Sequence, residues 1–528
     1  MTAAQGRLIP GEPEEGGYRK LVQADAEQHA IRGELADHSL LPGWLRSATT
    51  LLALAHLSDT HIMDHQSPGR AELVDRFSDP GSALRETVGP IGTYRAQELF
   101  TYQVAEAMVR AVRSVTAAPL SGAPLDLTVV TGDATDNCQL NELRSYIDLL
   151  DGRQVLPDSG DLSRYEGVAS PQVEDEHYWH PEGGSPDLPR SRYGFPVLPG
   201  ILAAARLQFS AIGVGMPWYA VHGNHDNMLQ GTVPPEGWLA EFPLGSVKLL
   251  TPPAGIDPAE IIASFEAAEA DALALLAQGT QLAVTADPGR ATVGRAAHVR
   301  EHFSTTGLPV GHGYSERNLA DGTAYYGFDH GVVRCLVLDT VNPHGGWQGS
   351  IDVSQLRWLE AELTAAATRP VILFSHHPLE TLVNAARPPD AGRRILAAEL
   401  RELLLAHPCV VAWLNGHTHV HAITAITDGT APGFWQVTTA SHIDWPQQAR
   451  IVELLQTGTG LAIACSVLDT AAPAGYQGTS DPADLAALAR ELSANDWQVR
   501  EFITEDGGAG AGTPQDRNVI LPVTWPRA

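Results

Sequence analysis

Five short apolar segments, each ending abruptly in polar residues, constrain the fold of this chain more than any other feature. They are LLALAHLSDTH (51–61), LDLTVVTGD (125–133), PWYAVHGNHD (217–226), PVILFSHHP (370–378) and CVVAWLNGHTH (409–419). Such runs are typical of strands that are buried within a sheet. Amphipathic helical patterns lie between them, notably at 94–115 and at 354–367, where Ser354 is the predicted N-cap. The alternation predicts an α/β layered fold whose strands deliver polar side chains to one edge of a sheet.

The charge balance disfavours one class of partner. The 528 residues include 34 Lys and Arg against 62 Asp and Glu, a formal net charge of −28. A chain this acidic repels nucleic-acid backbones and anionic membranes. We therefore expect a small substrate, no nucleic acid polymer and no membrane partner. If the substrate is an anion, bound metal ions are the obvious source of local positive charge.

Cysteine usage and the N-terminus favour a cytoplasmic location. The four cysteines are far apart and form no C-x-x-C pair, so we expect reduced thiols. The N-terminal sequence has neither a basic start followed by an apolar stretch nor a twin arginine, which argues against an export signal. No apolar run reaches the ~18 residues that a membrane span needs.

Two long segments, at about 139–215 and about 228–328, interrupt the strand and helix alternation. The second includes an Ala-rich helical pattern at 258–277. Because both depart beside polar strand tips, we expect them to form a cap, although packing without substrate contact is an equal alternative for any one loop. The predicted domains are an N-terminal extension (1–50), a catalytic domain (51–470) and a C-terminal extension with a helix (471–528).

Every strand tip carries potential metal ligands. A lone histidine in apolar surroundings is usually a core residue, so the case rests on the set. On a strand, His417, His419 and His421 would share one face. Mixed carboxylate, amide and imidazole ligands suit two divalent ions such as Mn, Fe or Zn, and the absence of cysteine argues against a structural zinc site. The tips comprise Asp59, His61, Asp133, Asn224, His225, Asp226, His376, His377, His417 and His419.

The ordered set D-x-H, G-D, G-N-H-D, H and G-H-x-H resembles the motifs of the calcineurin-like metallophosphoesterase superfamily. The resemblance covers roughly 51–470, less the two insertions. It implies a four-layer α/β/β/α sandwich of two mixed β-sheets, with the metals at the carboxyl edge of the strands. It also implies two overlapping ligand sets. The first metal would be held by Asp59, His61, Asp133 and His419, and the second by Asp133, Asn224, His376 and His417.

The resemblance also assigns roles beside the metals. In this family the position of His225 faces the leaving group, and Asp226 is expected to orient His225 and favour its protonated form. For His377 we expect a contact with substrate or a supporting hydrogen bond. Asn137 is a candidate substrate contact or an ordinary turn residue. Purple acid phosphatases carry a tyrosine ligand where this chain has Asp136, so a charge-transfer iron(III) site is not expected.

The implied activity is hydrolysis of phosphoric esters, in which a hydroxide bridging the two ions attacks phosphorus and His225 assists departure of the alkoxide. The words GDATDN, GNHD and SHHP are similar to those of cyclic-nucleotide and glycerophosphodiester phosphodiesterases, which favours small phosphodiesters. A phosphomonoesterase on the same site and a hydrolase of a non-phosphate bond are alternatives. A non-catalytic scaffold is a further alternative, against which the complete ligand set argues.

Overall fold

Two β-sheets form the centre of the protein in a computed structural model that describes residues 2, 5–36, 48–89, 91–234, 237–266, 275, 277–429, 432–458, 460–504 and 507–525. The seven-stranded sheet contains, in spatial order, Ala30–Ile31, Val519–Val523, Leu461–Asp469, Gln448–Gln456, Thr49–Leu57, Leu127–Val130 and Trp218–Ala220. The six-stranded sheet contains Tyr326–His330, Val333–Val337, Val371–Phe374, Val410–Asn415, Phe434–Thr438 and Ala422–Ile426.

The strands that precede the predicted site residues are parallel neighbours within each sheet. Thr49–Leu57, Leu127–Val130 and Trp218–Ala220 run parallel in the seven-stranded sheet. Val371–Phe374 and Val410–Asn415 run parallel in the six-stranded sheet. Because parallel strands end at the same edge, each sheet presents its polar tips together. Antiparallel strands complete both sheets, which are therefore mixed as expected.

The two sheets face each other across one apolar core and are covered by helices on their outer faces. Val129 and Ile451 of one sheet share the core with Phe374 and Leu414 of the other. Outside the seven-stranded sheet lie helices Thr101–Ser114 and Leu140–Asp151, which contribute side chains to the same apolar cluster. Helices Val353–Ala365 and Ala397–Leu405 pack outside the six-stranded sheet. The layers are thus α/β/β/α, as the family resemblance implied.

Among the described residues, the remaining elements are mostly short, apart from the 13-residue helix Pro482–Ala494. The other α-helices are Arg85–Val88, Leu188–Tyr193, Ile201–Ala205, Pro258–Glu266, Arg295–Glu301, Glu316–Asp321 and Pro482–Ala494. Two-stranded pairs join Arg7–Pro13 to Arg19–Ala24, Gln154–Val155 to Phe209–Ser210, Val247–Leu249 to Gln281–Ala283, Ile351–Asp352 to Arg394–Ile395, and Ile503–Thr504 to Gly507–Gly508. Within the described residues, no helix is both long enough and apolar enough to cross a membrane.

The two insertions pack in different places. In the first, Tyr178, Trp179 and Phe195 are buried in a cluster with side chains of helices Thr101–Ser114 and Pro482–Ala494. In the second, helix Pro258–Glu266 covers the first part of the Ala-rich pattern, whereas 267–274 and 276 lie outside the described residues.

Some predicted boundaries differ from the structure for identifiable reasons. The helix predicted at 354–367 is capped by Asp352, whose side chain accepts a hydrogen bond from the Gln355 N–H, rather than by Ser354. The pattern at 94–115 begins as a 3₁₀ turn, Ala96–Phe100, before the α-helix starts at Thr101. The division into three domains stays a prediction. Both terminal segments nevertheless add strands to the seven-stranded sheet, because Ala30–Ile31 pairs with Val519–Val523, which pairs with Leu461–Asp469.

Candidate metal centre and its cavity

The polar strand tips of both sheets meet at one edge of the sandwich, and their backbone conformation is unusual. Five tip residues have φ in the left-handed region: Asp59 (52°), His61 (46°), Asp133 (50°), His417 (70°) and His419 (58°). Non-glycine residues rarely adopt this region, and such strain is concentrated at functional sites. The strand ends at Asn415, so His417 and His419 lie just beyond its tip as expected, and the three histidines up to His421 follow the strand rather than alternating along it.

Glycines in two motifs allow this convergence. A Cβ atom on Gly416 would lie 2.2 Å from Asp59 Oδ2, and one on Gly223 would lie 2.1 Å from Asp133 Oδ1. Any larger residue would push the carboxylate away from its neighbours. The glycines of G-H-x-H and G-N-H-D are therefore required by close packing against the two acidic residues.

Asp59, His61, Asp133 and His419 form one group whose ligand atoms all lie within 4.8 Å of one another. His61 Nε2 is 3.1 Å from His419 Nε2, and His419 Nε2 is 3.4 Å from Asp59 Oδ1. His61 Nε2 is 3.8 Å from Asp133 Oδ2. Atoms that each lie ~2.0–2.2 Å from one ion are separated by about these distances. The group matches the first predicted ligand set and fits a divalent metal.

A second group shares Asp133 with the first. His376 Nε2 is 3.2 Å from Asp133 Oδ2 and 2.8 Å from Asn224 Oδ1. His417 Nδ1 is 2.9 Å from the same Asn224 oxygen. These are the four residues of the second predicted set. Asp133 is the member common to both sets, as a bridging carboxylate requires.

Hydrogen bonds on the far side of the imidazole rings fix which nitrogen faces the centre. His61 Nδ1 is 2.7 Å from Asp136 Oδ1, and His419 Nδ1 is 2.6 Å from Asp444 Oδ2. His376 Nδ1 donates to the Thr131 carbonyl at 2.8 Å. These contacts leave Nε2 of each ring available to a metal and are the usual support of histidine ligands.

Asp136 and Asp444 were not assigned to the site from sequence, although Asp136 lies in the word GDATDN noted there. Asp136 contacts His61, His225 and Arg70. Burial raises the pKa of Asp136, but Arg70 and His225 outweigh burial and hold that pKa well below its ordinary value. The sequence signal that could have assigned Asp136 to the site is its position three residues after Asp133, where purple acid phosphatases carry a tyrosine ligand. Asp444 also pairs with Arg95, whose Nε is 2.7 Å away.

His225 borders the predicted centre and is 12% exposed. Its backbone N–H donates to Asp133 Oδ1 at 2.9 Å, and its Nδ1 is 2.8 Å from Asp136 Oδ1. The residue that orients His225 is therefore Asp136, and the prediction that Asp226 does so is corrected.

Asp226 stabilises the turn instead. It ends the tight 3₁₀ turn Asn224–Asp226, and its carboxylate turns back to accept from the Gly223 N–H at 2.9 Å and from the Thr135 N–H at 3.1 Å. These bonds tie the G-N-H-D turn to the segment that follows Asp133.

The two candidate substrate contacts point into the protein. Asn137 is 5% exposed and donates from Nδ2 to Glu142 Oε1 at 2.5 Å. His377 is fully buried, with Nδ1 2.8 Å from Thr340 Oγ1 and Nε2 3.0 Å from the Trp347 carbonyl. Both side chains satisfy their own hydrogen bonds within the fold, so the structure does not support a substrate contact for either. His377 instead makes supporting hydrogen bonds, which were the alternative expectation for this residue.

A cavity of about 740 Å³ opens over the candidate centre. Its floor includes Asn224, His225, His417 and His419, and Arg95 and Asp444 lie on its side. Leu229, Gln230, Ala259 and Ala263 of the second insertion line it. Of its described lining residues, none comes from 139–215, so the prediction that this first insertion caps the site is not supported.

Comparison with known proteins identifies a family for the central part of the chain. Residues 198–421 match the model of the calcineurin-like phosphoesterase family. Glycerophosphodiester phosphodiesterase GpdQ of Enterobacter lignolyticus (strain SCF1) is 32% identical over 108 residues, which are 20% of this chain and 37% of that protein. The chain thus matches little more than a third of that relative's length.

Two solved structures are more distant. A dimetal phosphatase from Danio rerio is 12% identical with a TM-score of 0.34, over 80% of this chain and 97% of that one. GAP50, the anchor in the inner membrane complex of Plasmodium, is 11% identical with a TM-score of 0.25, over 78% and 84% of the two chains.

Proposed function

Because the chain belongs to the calcineurin-like metallophosphoesterase superfamily, we propose that it is a two-metal hydrolase of phosphoric esters. The observation that carries the proposal is the position of Asp133, whose carboxylate belongs to two groups of ligand atoms at once. A single structural ion would need only one such group. A carboxylate shared between two ions is the arrangement that holds a metal pair for attack on phosphorus.

The proposed ligands are those of the two predicted sets. Asp59, His61 and His419 complete the first site, and Asn224, His376 and His417 complete the second, with Asp133 in both. Two divalent ions bound there would polarise the phosphoryl oxygens and lower the pKa of a bound water. Mn, Fe and Zn all accept this mixture of oxygen and nitrogen ligands.

The protein's own residues then position the substrate and handle the proton. His225 lines the cavity, and the carboxylate of Asp136 at its Nδ1 supports an imidazolium that can give its Nε2 proton to the departing alkoxide. Among the described lining residues of the cavity, Arg95 is the only Lys or Arg, and its pairing with Asp444 also steadies His419.

We infer a preference for small phosphodiesters over monoesters. Its support is the likeness to a protein named as a glycerophosphodiester phosphodiesterase, together with a cavity large enough for groups on both sides of a phosphorus. A phosphomonoesterase on the same centre is the second candidate. A monoester carries one more negative charge, and an enzyme specialised for it would be expected to place more than one cation beside the floor.

Reconstitution tests this proposal. Metal-free protein is loaded separately with Mn, Fe, Zn, Ni or Mg, its metal content is measured by elemental analysis, and hydrolysis is followed with bis-nitrophenyl phosphate and nitrophenyl phosphate. We expect about two ions per chain and faster turnover of the diester. A fully active protein with one ion per chain would contradict the shared role of Asp133. Faster turnover of the monoester would support the second candidate, and metal-loaded protein inactive on every ester would support a scaffold.

A further inference from the structure

The cavity has a polar floor and a predominantly aliphatic side wall. The wall is built from the segment between the first motif and helix Thr101–Ser114, and from the second insertion. Neither segment contributes a predicted metal ligand to the floor. The aliphatic residues that line this wall are Ala71, Val74, Leu84, Val88, Ile91, Leu229, Ala259 and Ala263.

The wall stays accessible although it is apolar. Val74 is buried in a small cluster behind the wall, which anchors it to the protein. Leu84, Val88 and Ile91 pack against that cluster and are only partly buried. Ala259 and Ala263, one helical turn apart on Pro258–Glu266, are exposed while lining the same cavity. Aliphatic surface left open beside a polar centre is characteristic of a ligand-binding site.

The charges of the lining argue against a second anionic group in the ligand. Among the described lining residues, Arg95 is the only Lys or Arg, and its guanidinium is held by Asp444. The side of the cavity also carries Asp496, a partly buried carboxyl whose pKa is raised to about 6 by its removal from water. A pyrophosphate or a nucleotide bearing further phosphates would find acidic rather than basic partners there.

From this arrangement we propose that the cavity binds phosphoesters that carry an aliphatic chain, with the phosphate at the floor and the chain along the aliphatic wall. The inference rests on the proposed phosphoesterase function and names its substrate class. Transfer of the ligand's aliphatic chain from water to the wall stabilises the complex, and each methylene group that is fully buried increases the affinity about fourfold. Selectivity therefore comes from the length of the chain, whereas the floor recognises only the phosphate.

A series of nitrophenyl alkyl phosphates with methyl, butyl and octyl groups tests the proposal, each used below its micelle concentration. We expect kcat/KM of the metal-loaded protein to rise at least tenfold from methyl to octyl, chiefly through a lower KM. The nitrophenyl ester of thymidine monophosphate is included as a polar nucleotide comparison. Equal kcat/KM for methyl and octyl esters, or a preference for the thymidine ester over the octyl ester, would overturn the proposal.

Matched variants test whether the dependence of kcat/KM on alkyl chain length comes from the aliphatic wall. Ala259→Glu combined with Ala263→Glu directs two charged side chains toward the chain, so the octyl-to-methyl ratio of kcat/KM should fall at least tenfold. The control is Ala254→Glu, the same change at an exposed alanine of the same insertion that does not line the cavity. It should leave the ratio and the activity unchanged. An octyl-to-methyl ratio of kcat/KM that is the same in the double variant and the control would show that the aliphatic wall does not bind the substrate.

Failure of the inference is separable from failure of the proposed function. Hydrolysis of the methyl ester without any dependence on chain length contradicts only the inference. If no ester is hydrolysed, binding of octylphosphonate and methylphosphonate to the metal-loaded protein is compared by calorimetry. Tighter binding of octylphosphonate, abolished in the double variant, still supports an aliphatic site, and equal binding refutes it.

Discussion

The floor and the aliphatic wall of the cavity are built on opposite principles. The floor consists of polar side chains at the ends of core strands, and behind it Asp59, His61 and Asp133 are at most 1% exposed. The wall consists of partly exposed aliphatic side chains on short elements away from the central sheets. Strand ends locked between two sheets hold ligand atoms to within fractions of an ångström, as catalysis requires. A wall that only excludes water tolerates more variation, so selectivity can change without disturbing the chemistry.

The two insertions show the same contrast. Both insertions begin near the catalytic edge of the seven-stranded sheet. Among the described residues, however, only the second insertion lines the cavity. The first uses its aromatic side chains to join helices Thr101–Ser114 and Pro482–Ala494. The point at which an insertion leaves the sheet therefore does not determine what it covers. Apolar side chains are buried wherever a complementary surface exists, and the helices offered one.

The largest effect is expected from Asp133→Ala. This change removes the carboxylate common to both ligand groups, so both ions and all metal-dependent hydrolysis should be lost. Elemental analysis and bis-nitrophenyl phosphate turnover measure the two losses. Asp321→Ala, on an exposed helix where the side chain is 52% exposed, is the matched control and should keep both. Full metal content in Asp133→Ala would show that Asp133 is not required for metal binding.

A smaller loss is expected from His225→Ala. Both ions should remain, because His225 is not a proposed ligand, while kcat falls by about 10²–10⁴ through loss of the proton donor. His330→Ala, at a partly exposed position on strand Tyr326–His330, is the control. An unchanged kcat in the metal-replete variant would refute the role of His225.

A weaker effect still is expected from Asp136→Asn, which keeps the shape of the side chain but removes the charge that orients His61 and His225. Metal affinity or kcat should fall about 10–100-fold, the usual cost of losing such a supporting carboxylate. Asp226→Asn is the informative partner. Its side chain accepts bonds from the Gly223 and Thr135 backbone, so it should cost about 1–3 kcal/mol of stability. If Asp226→Asn impairs kcat in folded, metal-loaded protein more than Asp136→Asn, the orienting role returns to Asp226.

The smallest catalytic effect is expected from Trp179→Ala in the first insertion. Trp179 is fully buried against Phe195, so its loss should lower the free energy of unfolding by about 3–5 kcal/mol while kcat/KM of the folded protein is unchanged. Trp347→Ala should instead change kcat/KM and leave the free energy of unfolding nearly unchanged. Trp347 lines the cavity, is 54% exposed, and lies 6.0 Å from the ring of His417. Thermal unfolding and kcat/KM of both variants give the measurement, and a changed substrate ranking in Trp179→Ala would restore the first insertion to the cap.

Local sequence patterns were sufficient for the α/β class and for the polar strand tips that converge, whereas the four-layer arrangement was implied by the family resemblance. Runs such as VILF (371–374) and VVAWLN (410–415) predict buried parallel strands, and polar residues directly after them must meet at one edge. The ordered motifs extend this to the ligand sets. The reason is that strand formation and the direction of a strand's carboxyl end are local properties, determined within a few residues of each tip.

Contacts between residues far apart in the chain were decided only by the tertiary structure. The position of Asp136 three residues after Asp133 marks it as a site candidate but does not reveal that it joins His61 to His225, and Asp444 reaches His419 only because a later loop folds back over the edge. Asp226 stands beside His225 in sequence, but the tight turn points its carboxylate away. The aliphatic wall likewise combines residues near 71–91 with residues near 259–263, which no local periodicity connects. The sequence by itself determined which atoms perform the proposed chemistry, whereas packing across the whole chain determined how they are oriented and what encloses them.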